Sequence, residues 1–394
     1  MAYDFDRLID RRQTNCEKWD GRRQAFDCED VLPMWVADMD FAAPPAALAA
    51  VRECIEHGVF GYSQGARGAL SALASWVERR HGWEIAEDWT VFSPGVVSGL
   101  SLAVLALTSP GEKIIIQPPV YPPFYGAVRD HGRVLLENPL RVENGRYMMD
   151  LAGLADRLAE EDVRMLILCS PHNPVGRVWE REELLRLGEI CLEHGIIIVS
   201  DEIHADLVYR GRRHTCLGSI SEELRRQSIT LMAPSKTFNL AGLNSSGAII
   251  PDPSLRARFK DTQRRLHIGG WNTCGLAAME AAYLCGEDWL EELLGYLEGN
   301  LDYLIAFLNE RIPEIDVFRS EGTYLVWLDF RRLGLDGDRL PRFLIGQAGL
   351  GLNDGRSFGP QGNGFARLNF GCPRAVVADG LTRLERAVAT WISF

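Results

Sequence analysis

The chain has 394 residues, of which 46% are hydrophobic and 24% are charged, a composition typical of a globular protein large enough for two domains. A net charge of −12 and the lack of basic runs with interleaved aromatic residues argue against nucleic-acid binding. No apolar run is long enough to span a bilayer, and the acidic first residues are not typical of a signal peptide. Nine cysteines without a C-x-x-C pair indicate neither a zinc site nor a disulfide framework, so we expect a cytoplasmic protein whose thiols are mostly core residues.

The first 50 residues are predicted to form an irregular arm, because Pro33, Pro44 and Pro45 interrupt any periodic pattern. Within the arm, residues 32–41 mix aromatic side chains with two acids, and we expect most of them to pack on a domain surface. A helix over residues 46–57, a glycine-spaced loop over 61–68 and a helix over about 69–81 follow. No strand precedes that loop, so it is not a dinucleotide-binding fingerprint.

The middle of the chain alternates short apolar runs with helical patterns. Continuous apolar runs indicate strands buried on both faces, and such strands are typical of a mostly parallel sheet covered by helices. The amphipathic stretch 181–194 is one of the predicted covering helices. The predicted strands span residues 90–93, 113–117, 163–169, 196–200 and 228–233.

The pattern changes after a helix-rich stretch over residues 253–307. Strands at 323–330 and 365–370, a helix at 339–346 and a glycine-rich loop at 351–364 predict a smaller α+β domain. We therefore predict an α/β fold with a large α/β domain over 51–285 and a small C-terminal α+β domain over 286–394, with an N-terminal arm over 1–50 that is part of the small domain.

Polar or aromatic residues follow each of four predicted strands. Tyr121 follows the second strand, residues 170–174 the third, residues 201–204 the fourth, and Ser235 with Lys236 the last. Each has an ordinary structural explanation, since Asn-Pro makes turns and Asp ends strands. In open α/β sheets, however, ligands bind at the carboxyl ends of the strands, so we expect these residues to converge on one site.

Lys236 is unusual because only four of the 42 basic residues are lysines. A guanidinium stays protonated and cannot form an imine, whereas a desolvated lysine amine attacks a carbonyl. A lysine pointing into water is the alternative for this stretch taken alone. A second candidate feature is the turn over residues 94–99, which opens an apolar helix predicted over 100–107 and offers free backbone N–H groups to an anion.

A lysine, a carboxylate, an amide and a phosphate cradle at one edge are what pyridoxal phosphate requires. Lys236 would form the Schiff base, Asp201 would keep the pyridine nitrogen protonated, and Asn173 would donate to the phenolic oxygen. Tyr121 would stack on the ring. The phosphate would be held by Ser235 and by the backbone of Gly95, Val96 and Val97.

The chain resembles fold-type I enzymes of the aminotransferase superfamily, and more narrowly the MalY/PatB group of cystathionine β-lyases. The motifs that carry the resemblance lie at residues 6–11, 18–20, 34–41, 170–176, 201–204, 235–239 and 367–374. The resemblance implies β-elimination from cysteine thioethers such as cystathionine, giving a thiol, pyruvate and ammonia. It further implies that Arg367 and Asn173 bind the amino-acid substrate, and that Tyr62 reaches the cofactor phosphate of the partner subunit in a homodimer.

One departure from the wider aminotransferase pattern is Asn244, which follows Gly242-Leu243 where many of those enzymes have a phosphate-binding arginine. This departure favours the lyase group over a general aminotransferase, which is the second hypothesis. A regulatory protein on the same fold is the third, although retention of Lys236, Asp201, Asn173 and Arg367 argues against a purely non-catalytic role. Asp201, His204 and Asp206 also resemble metal ligands, but no second histidine lies at helical spacing, and we expect His204 to support the cofactor ring instead.

Overall fold

Strands and helices alternate along residues 3–393, the part of the chain that the computed structural model describes. The strands are β1 (Leu32–Pro33), β2 (Thr90–Ser93), β3 (Lys113–Ile116), β4 (Val134–Glu137), β5 (Arg141–Glu143), β6 (Arg146–Met148), β7 (Val163–Cys169), β8 (Ile197–Asp201), β9 (Ser228–Met232), β10 (Ser246–Ile249), β11 (Asp316–Phe318), β12 (Leu325–Asp329), β13 (Leu350–Gly351), β14 (Asn353–Asp354) and β15 (Phe365–Asn369). The α-helices are α1 (Glu17–Asp20), α2 (Arg22–Phe26), α3 (Pro45–His57), α4 (Arg67–His81), α5 (Val96–Leu107), α6 (Pro123–Arg129), α7 (Leu151–Glu160), α8 (Arg181–Glu193), α9 (Glu222–Arg226), α10 (Pro234–Thr237), α11 (Pro253–Arg265), α12 (Thr273–Cys285), α13 (Glu287–Arg311), α14 (Arg339–Gly346) and α15 (Arg374–Ile392).

The central sheet has the strand order β2-β10-β9-β8-β7-β3-β4. Neighbouring strands from β9 to β4 are parallel, and only β10 runs against its two neighbours. The carboxyl ends of β2, β3, β7, β8 and β9 therefore meet at one edge of the sheet. The prediction of a mostly parallel α/β sheet is confirmed.

Both faces of this sheet are buried, as the continuous apolar runs predicted. Along β7, Met165 and Ile167 pack into the core beneath α5, α6 and α11, while Leu166 and Leu168 pack beneath α7 and α8. Successive strand residues point to opposite faces, so one run of apolar residues supplies two cores. Each fully buried aliphatic side chain stabilises the fold by about 1.5–3 kcal/mol.

The sequence prediction missed several elements, among them the edge strand β4 of the central sheet. Two elements differ from it because small residues obscure their pattern. Helix α5 begins at Val96, earlier than the predicted start at residue 100, since Ser98 and Gly99 weaken the helical pattern. Strand β10 was not predicted, because three of its four residues, Ser-Gly-Ala, are not β-formers. A Cβ at Gly247 would lie 2.3 Å from Leu73 Cδ2, so α4 packs directly against a strand that only glycine fits.

The C-terminal region forms a separate antiparallel sheet with the order β11-β12-β15-β14. The predicted glycine-rich loop over 351–364 holds β14 and two short 3-10 turns. The arm contains α1 and α2, so the prediction of a wholly irregular arm was wrong. Pairing of β1 with β13 joins the arm to the C-terminal region. The domain limits at 50 and 285 stay a prediction.

Every helix within residues 3–393 is too short or too polar to cross a bilayer.

Candidate active site

A cavity of about 330 Å³ opens at the edge of the central sheet where β2, β3, β7, β8 and β9 end. Most of the residues predicted from the sequence line it. They are Gly95, Val96, Val97, Tyr121, Asn173, Asp201, His204, Ser235 and Lys236. The structure thus brings together side chains that the sequence spreads over more than a hundred residues.

Lys236 follows β9 on the short helix α10 and is partly exposed to the cavity. Its Nζ donates a hydrogen bond to the backbone carbonyl of Ala37. Burial lowers the pKa of Lys236 to about 8, although the charges of Asp38 and Asp201 act in the opposite direction. A lysine with this pKa is partly unprotonated near neutral pH, and the unprotonated amine is the form that attacks a carbonyl carbon.

Asp201 is the last residue of β8, and its side chain is buried. Its Oδ1 accepts a hydrogen bond from the backbone N–H of Ile203 at 3.1 Å. Burial raises the pKa of Asp201 to about 7, while the charge of Lys236 lowers it. A cationic group placed against this carboxyl would hold it in the ionised form.

One end of the cavity is lined by backbone and hydroxyl groups. The first N–H groups of α5, at Val96, Val97 and Ser98, have no acceptor within the helix and carry the positive end of its dipole. Ser235, Asn244 and Ser245 complete this end. Among the described lining residues Lys236 is the only cation, so an anion here depends on amides and hydroxyls.

Arg367 lies on β15 beside the cavity with only 3% of its surface exposed. Its Nη1 donates to Asn173 Oδ1 at 2.9 Å, and its Nη2 donates to Asn353 Oδ1 at 2.7 Å and to the carbonyl of Trp35 at 2.9 Å. The guanidinium also stacks 4.9 Å above the ring of Phe358.

This guanidinium is paired with no carboxylate among residues 3–393, and its Nε has no hydrogen-bond partner. Burial lowers the pKa of Arg367 to about 10. A buried cation without a counter-ion is costly, and a planar carboxylate is the group that a guanidinium fork binds best. Arg367 is therefore suited to bind an anionic ligand. Its position on a strand, taken alone, would have indicated an arginine that faces solvent.

His204 lines the cavity, and its Nδ1 has no hydrogen-bond partner in the part of the chain that the structure describes. Burial lowers the pKa of His204 to about 3, and the charges of Lys236 and Arg367 act in the same direction. The imidazole is therefore neutral at physiological pH, which suits contact with an aromatic group. Its ring meets the ring of Tyr324 edge-on at a centroid distance of 6.0 Å.

The metal set considered from the sequence does not form. Asp206 is turned away from the cavity and accepts hydrogen bonds from Thr237, Trp76 and His81 at 2.7–2.9 Å. Within residues 3–393, the group of buried ligand-type atoms close enough to share an ion is a different one. It comprises Glu202, His214 and Cys216.

Sequence reasoning missed the contribution of the N-terminal arm. The carbonyl of Ala37 accepts from Lys236 and from Tyr324 Oη, the latter at 2.8 Å. Asn369 Nδ2 donates at 2.6 Å to the carbonyls of Val36 and Asp38. The mixture of aromatic residues and acids over 32–41 was the available signal, but a role carried by backbone carbonyls leaves no trace in residue type.

Tyr62 does not line the cavity of its own chain. It lies in an extended loop between α3 and α4 and is fully exposed to solvent, and the neighbouring Val59 and Phe60 are about two-thirds exposed. Its predicted contact with a partner subunit stays a prediction.

Comparisons with known proteins cover almost the whole chain. Residues 29–384 match the sequence profile described as aminotransferase class I and II. Cystathionine beta-lyase PatB of Bacillus subtilis (strain 168) is 45% identical over 98% of this chain and 100% of the relative. The structure of a PLP-bound putative aminotransferase from Clostridium difficile 630 has a TM-score of 0.96 and 42% identity, over 98% of this chain and 100% of that one. Cystalysin from Treponema denticola, which contains a pyridoxal 5'-phosphate cofactor, has a TM-score of 0.95 and 35% identity, over 99% and 100%.

Proposed function

We propose that this chain, which belongs to the aminotransferase class I and II family, is a pyridoxal-phosphate-dependent carbon-sulfur lyase of the cystathionine β-lyase type. Its substrates are cysteine thioethers such as cystathionine or other cysteine S-conjugates, and its products are a thiol, pyruvate and ammonia. The observation that carries this proposal is the placement of Lys236, Asp201 and Asn173 around one cavity beside the uncompensated guanidinium of Arg367. The full-length similarity to PatB supports the lyase over other reactions of the family.

The residues present fit pyridoxal phosphate. Lys236 has the lowered pKa that linkage to the aldehyde carbon requires, and Asp201 is a buried carboxyl that a protonated pyridine nitrogen would ionise. The side-chain NH₂ of Asn173 has no partner among residues 3–393, so it is available to the phenolic oxygen. The N-terminus of α5 with Ser235 would hold the phosphate.

When bound, the cofactor supplies an electron sink for the Cα carbanion. The protein's own groups then determine which proton moves and how the substrate lies. Arg367 binds the α-carboxylate, and Lys236 removes the proton from Cα. Tyr121 and the neutral His204 line the cavity, where Tyr121 would stack on the ring and His204 would support it.

An aminotransferase is the second candidate, and the similarity to the putative aminotransferase of Clostridium difficile favours it. Both reactions use the same residues up to loss of the Cα proton, so the cofactor site does not separate them. A good leaving group on the substrate Cβ would favour elimination, because transamination would require a further protonation of the bound cofactor. Asn244, in place of a phosphate-binding arginine, further favours the lyase.

The functional unit is inferred to be a homodimer. Tyr62 with the neighbouring Val59 and Phe60 presents an exposed apolar tip, and such tips are typical of interfaces. In this arrangement Tyr62 reaches the phosphate of the partner subunit's cofactor. Tyr62→Phe is expected to weaken cofactor affinity while the molar mass by light scattering stays that of a dimer, and a monomeric wild type would contradict the inference.

The test is to incubate the purified protein with cystathionine, cystine or an S-alkyl cysteine and to measure pyruvate, ammonia and thiol. Stoichiometric products without any 2-oxo acid acceptor are expected. Product that forms only after 2-oxoglutarate is added, with the matching amino acid, would establish the aminotransferase instead. Lys260→Ala, at an exposed lysine, is the matched control for Lys236→Ala.

A further inference from the structure

A compact cluster of charges lies on the N-terminal arm outside the cavity. Arg11 donates to both oxygens of Asp38, with Nη1 to Oδ1 at 2.9 Å and Nη2 to Oδ2 at 2.6 Å, and to Asp40 Oδ1 at 2.6 Å. Lys18 Nζ donates to Asp40 Oδ2 at 2.7 Å. The side chains of Lys18 and Asp40 are 1% and 7% exposed and those of Arg11 and Asp38 21% and 19%, so two cations and two carboxylates form a partly buried, electrically balanced group.

The backbone of residues 35–39, next to Asp38 and Asp40, contacts the active-site side chains. The carbonyl of Ala37 accepts from Lys236, and the carbonyl of Trp35 accepts from Arg367 at 2.9 Å. From the other side Asn239, three residues after Lys236, binds the backbone of Met39 through its Oδ1 and Nδ2 at 3.0 and 2.9 Å. The segment is thus held between the charge cluster and the cavity.

We propose that Arg11 and Lys18 are positioning residues that hold the arm, and through the Trp35 carbonyl hold the guanidinium of Arg367, in the orientation that binds the substrate α-carboxylate. This inference rests on the proposed function of Arg367. Loss of Arg11 leaves Asp38 without its bidentate partner, and the partly buried carboxylate then gains by moving toward water. The Trp35 carbonyl moves with it, because few residues separate the two.

The consequence falls on substrate binding more than on the cofactor. Of the described arm residues, Ala37 reaches the cofactor site through its carbonyl on Lys236, and none forms a hydrogen bond or ion pair with Asp201 or Ser235. Because the covalent link to the cofactor would hold Lys236 in place of that hydrogen bond, binding of the cofactor is expected to change little. A displaced carboxylate-binding group raises KM, and an error of about 1 Å in placement costs on the order of tenfold to a hundredfold.

The experiment compares Arg11→Met, Arg11→Lys and Arg12→Met. Arg12 is the matched control, because it lies on the same arm and pairs with Asp10, both side chains being about 60% exposed. Arg11→Met is expected to raise KM for the thioether about tenfold or more, with a smaller change in kcat and an unchanged visible absorbance of the bound cofactor. Arg11→Lys restores the charge and should recover part of the loss, while Arg12→Met should match the wild type.

Asp38→Asn is the second variant, in case Arg11→Met does not fold. It keeps the side-chain shape and should also raise KM. Trypsin cleavage after Arg22 or Arg23, read by mass spectrometry, should be faster in Arg11→Met than in Arg12→Met and requires no enzymatic activity. An Arg11→Met protein with wild-type KM, or with lowered kcat or thermal stability alone, would overturn the inference. A wild type that forms no pyruvate refutes the proposed function, and equal cleavage of the two variants then refutes the positioning role separately.

Discussion

Replacing Arg367 with methionine removes the buried guanidinium that is expected to bind the substrate carboxylate. Its Nη1 donates one hydrogen to Asn173, and its Nη2 donates both of its hydrogens, to Asn353 and to the Trp35 carbonyl, so a carboxylate that displaces the Asn353 amide would accept two charge-assisted hydrogen bonds. Such bonds stabilise a complex by about 1.5–3 kcal/mol each, which predicts a loss in kcat/KM on the order of 10²- to 10⁴-fold. Arg367→Lys keeps one cation but not the planar fork, and about half of that free energy should be lost.

The assay is pyruvate release from an S-alkyl cysteine, measured alongside an S-alkyl cysteamine that has no α-carboxylate. Turnover of the cysteamine analogue, read as thiol release, should be as slow in the wild type as in Arg367→Met, because the two changes remove the same interaction. Arg356→Met is the control, since Arg356 is more exposed and already paired with Asp338 and Asp354. The assignment would be refuted if kcat/KM of Arg367→Met stayed within about fivefold of the wild type. It would also be refuted if the substitution slowed the cysteamine analogue as much as it slows the S-alkyl cysteine, because the two losses would then be independent.

Further predictions concern the cofactor site. Lys236→Ala should abolish the visible absorbance of the bound cofactor and lower turnover by at least about 10³-fold, while Lys260→Ala should change neither. A coloured, active Lys236→Ala protein would contradict the role of the lysine. Asp201→Ala should still bind the cofactor but lose about 10²- to 10³-fold in turnover, because the pyridine nitrogen is no longer held protonated. Turnover near that of the wild type would show that the carboxylate acts elsewhere. Only the unprotonated amine of Lys236 reacts with pyridoxal phosphate, so its pKa predicts a pH-dependent rate of reconstitution. The second-order rate constant should rise about tenfold per pH unit up to a pH of about 8 and then level off. A rate constant measured by stopped-flow absorbance that does not depend on pH would contradict this prediction.

Much of the fold and of the cofactor site could be predicted from residue patterns. Continuous apolar runs such as 163–169 predict strands buried on both faces, and polar residues after those runs predict where the strands end. Parallel strands place their carboxyl ends at one edge, so Asn173, Asp201 and Lys236 could be assigned to a common site without coordinates. Strand β10 escaped prediction because its glycine is required by the packing of Leu73, a contact between distant segments.

Other features of the site depend on contacts between residues that are distant in the sequence, and no local sequence pattern predicts such contacts. Whether Arg367 faces solvent or a ligand depends on burial and on the lack of a counter-ion among residues 3–393, and neither property is local to its strand. The orientation of Asp206 toward Thr237, Trp76 and His81 excludes it from the cavity, although its spacing from Asp201 and His204 resembles a ligand set. The arm acts through the carbonyls of Trp35 and Ala37, and every residue type carries the same carbonyl. A backbone group acquires a specific role only when the fold places it against a particular side chain, so this part of the site was decided by the three-dimensional packing alone.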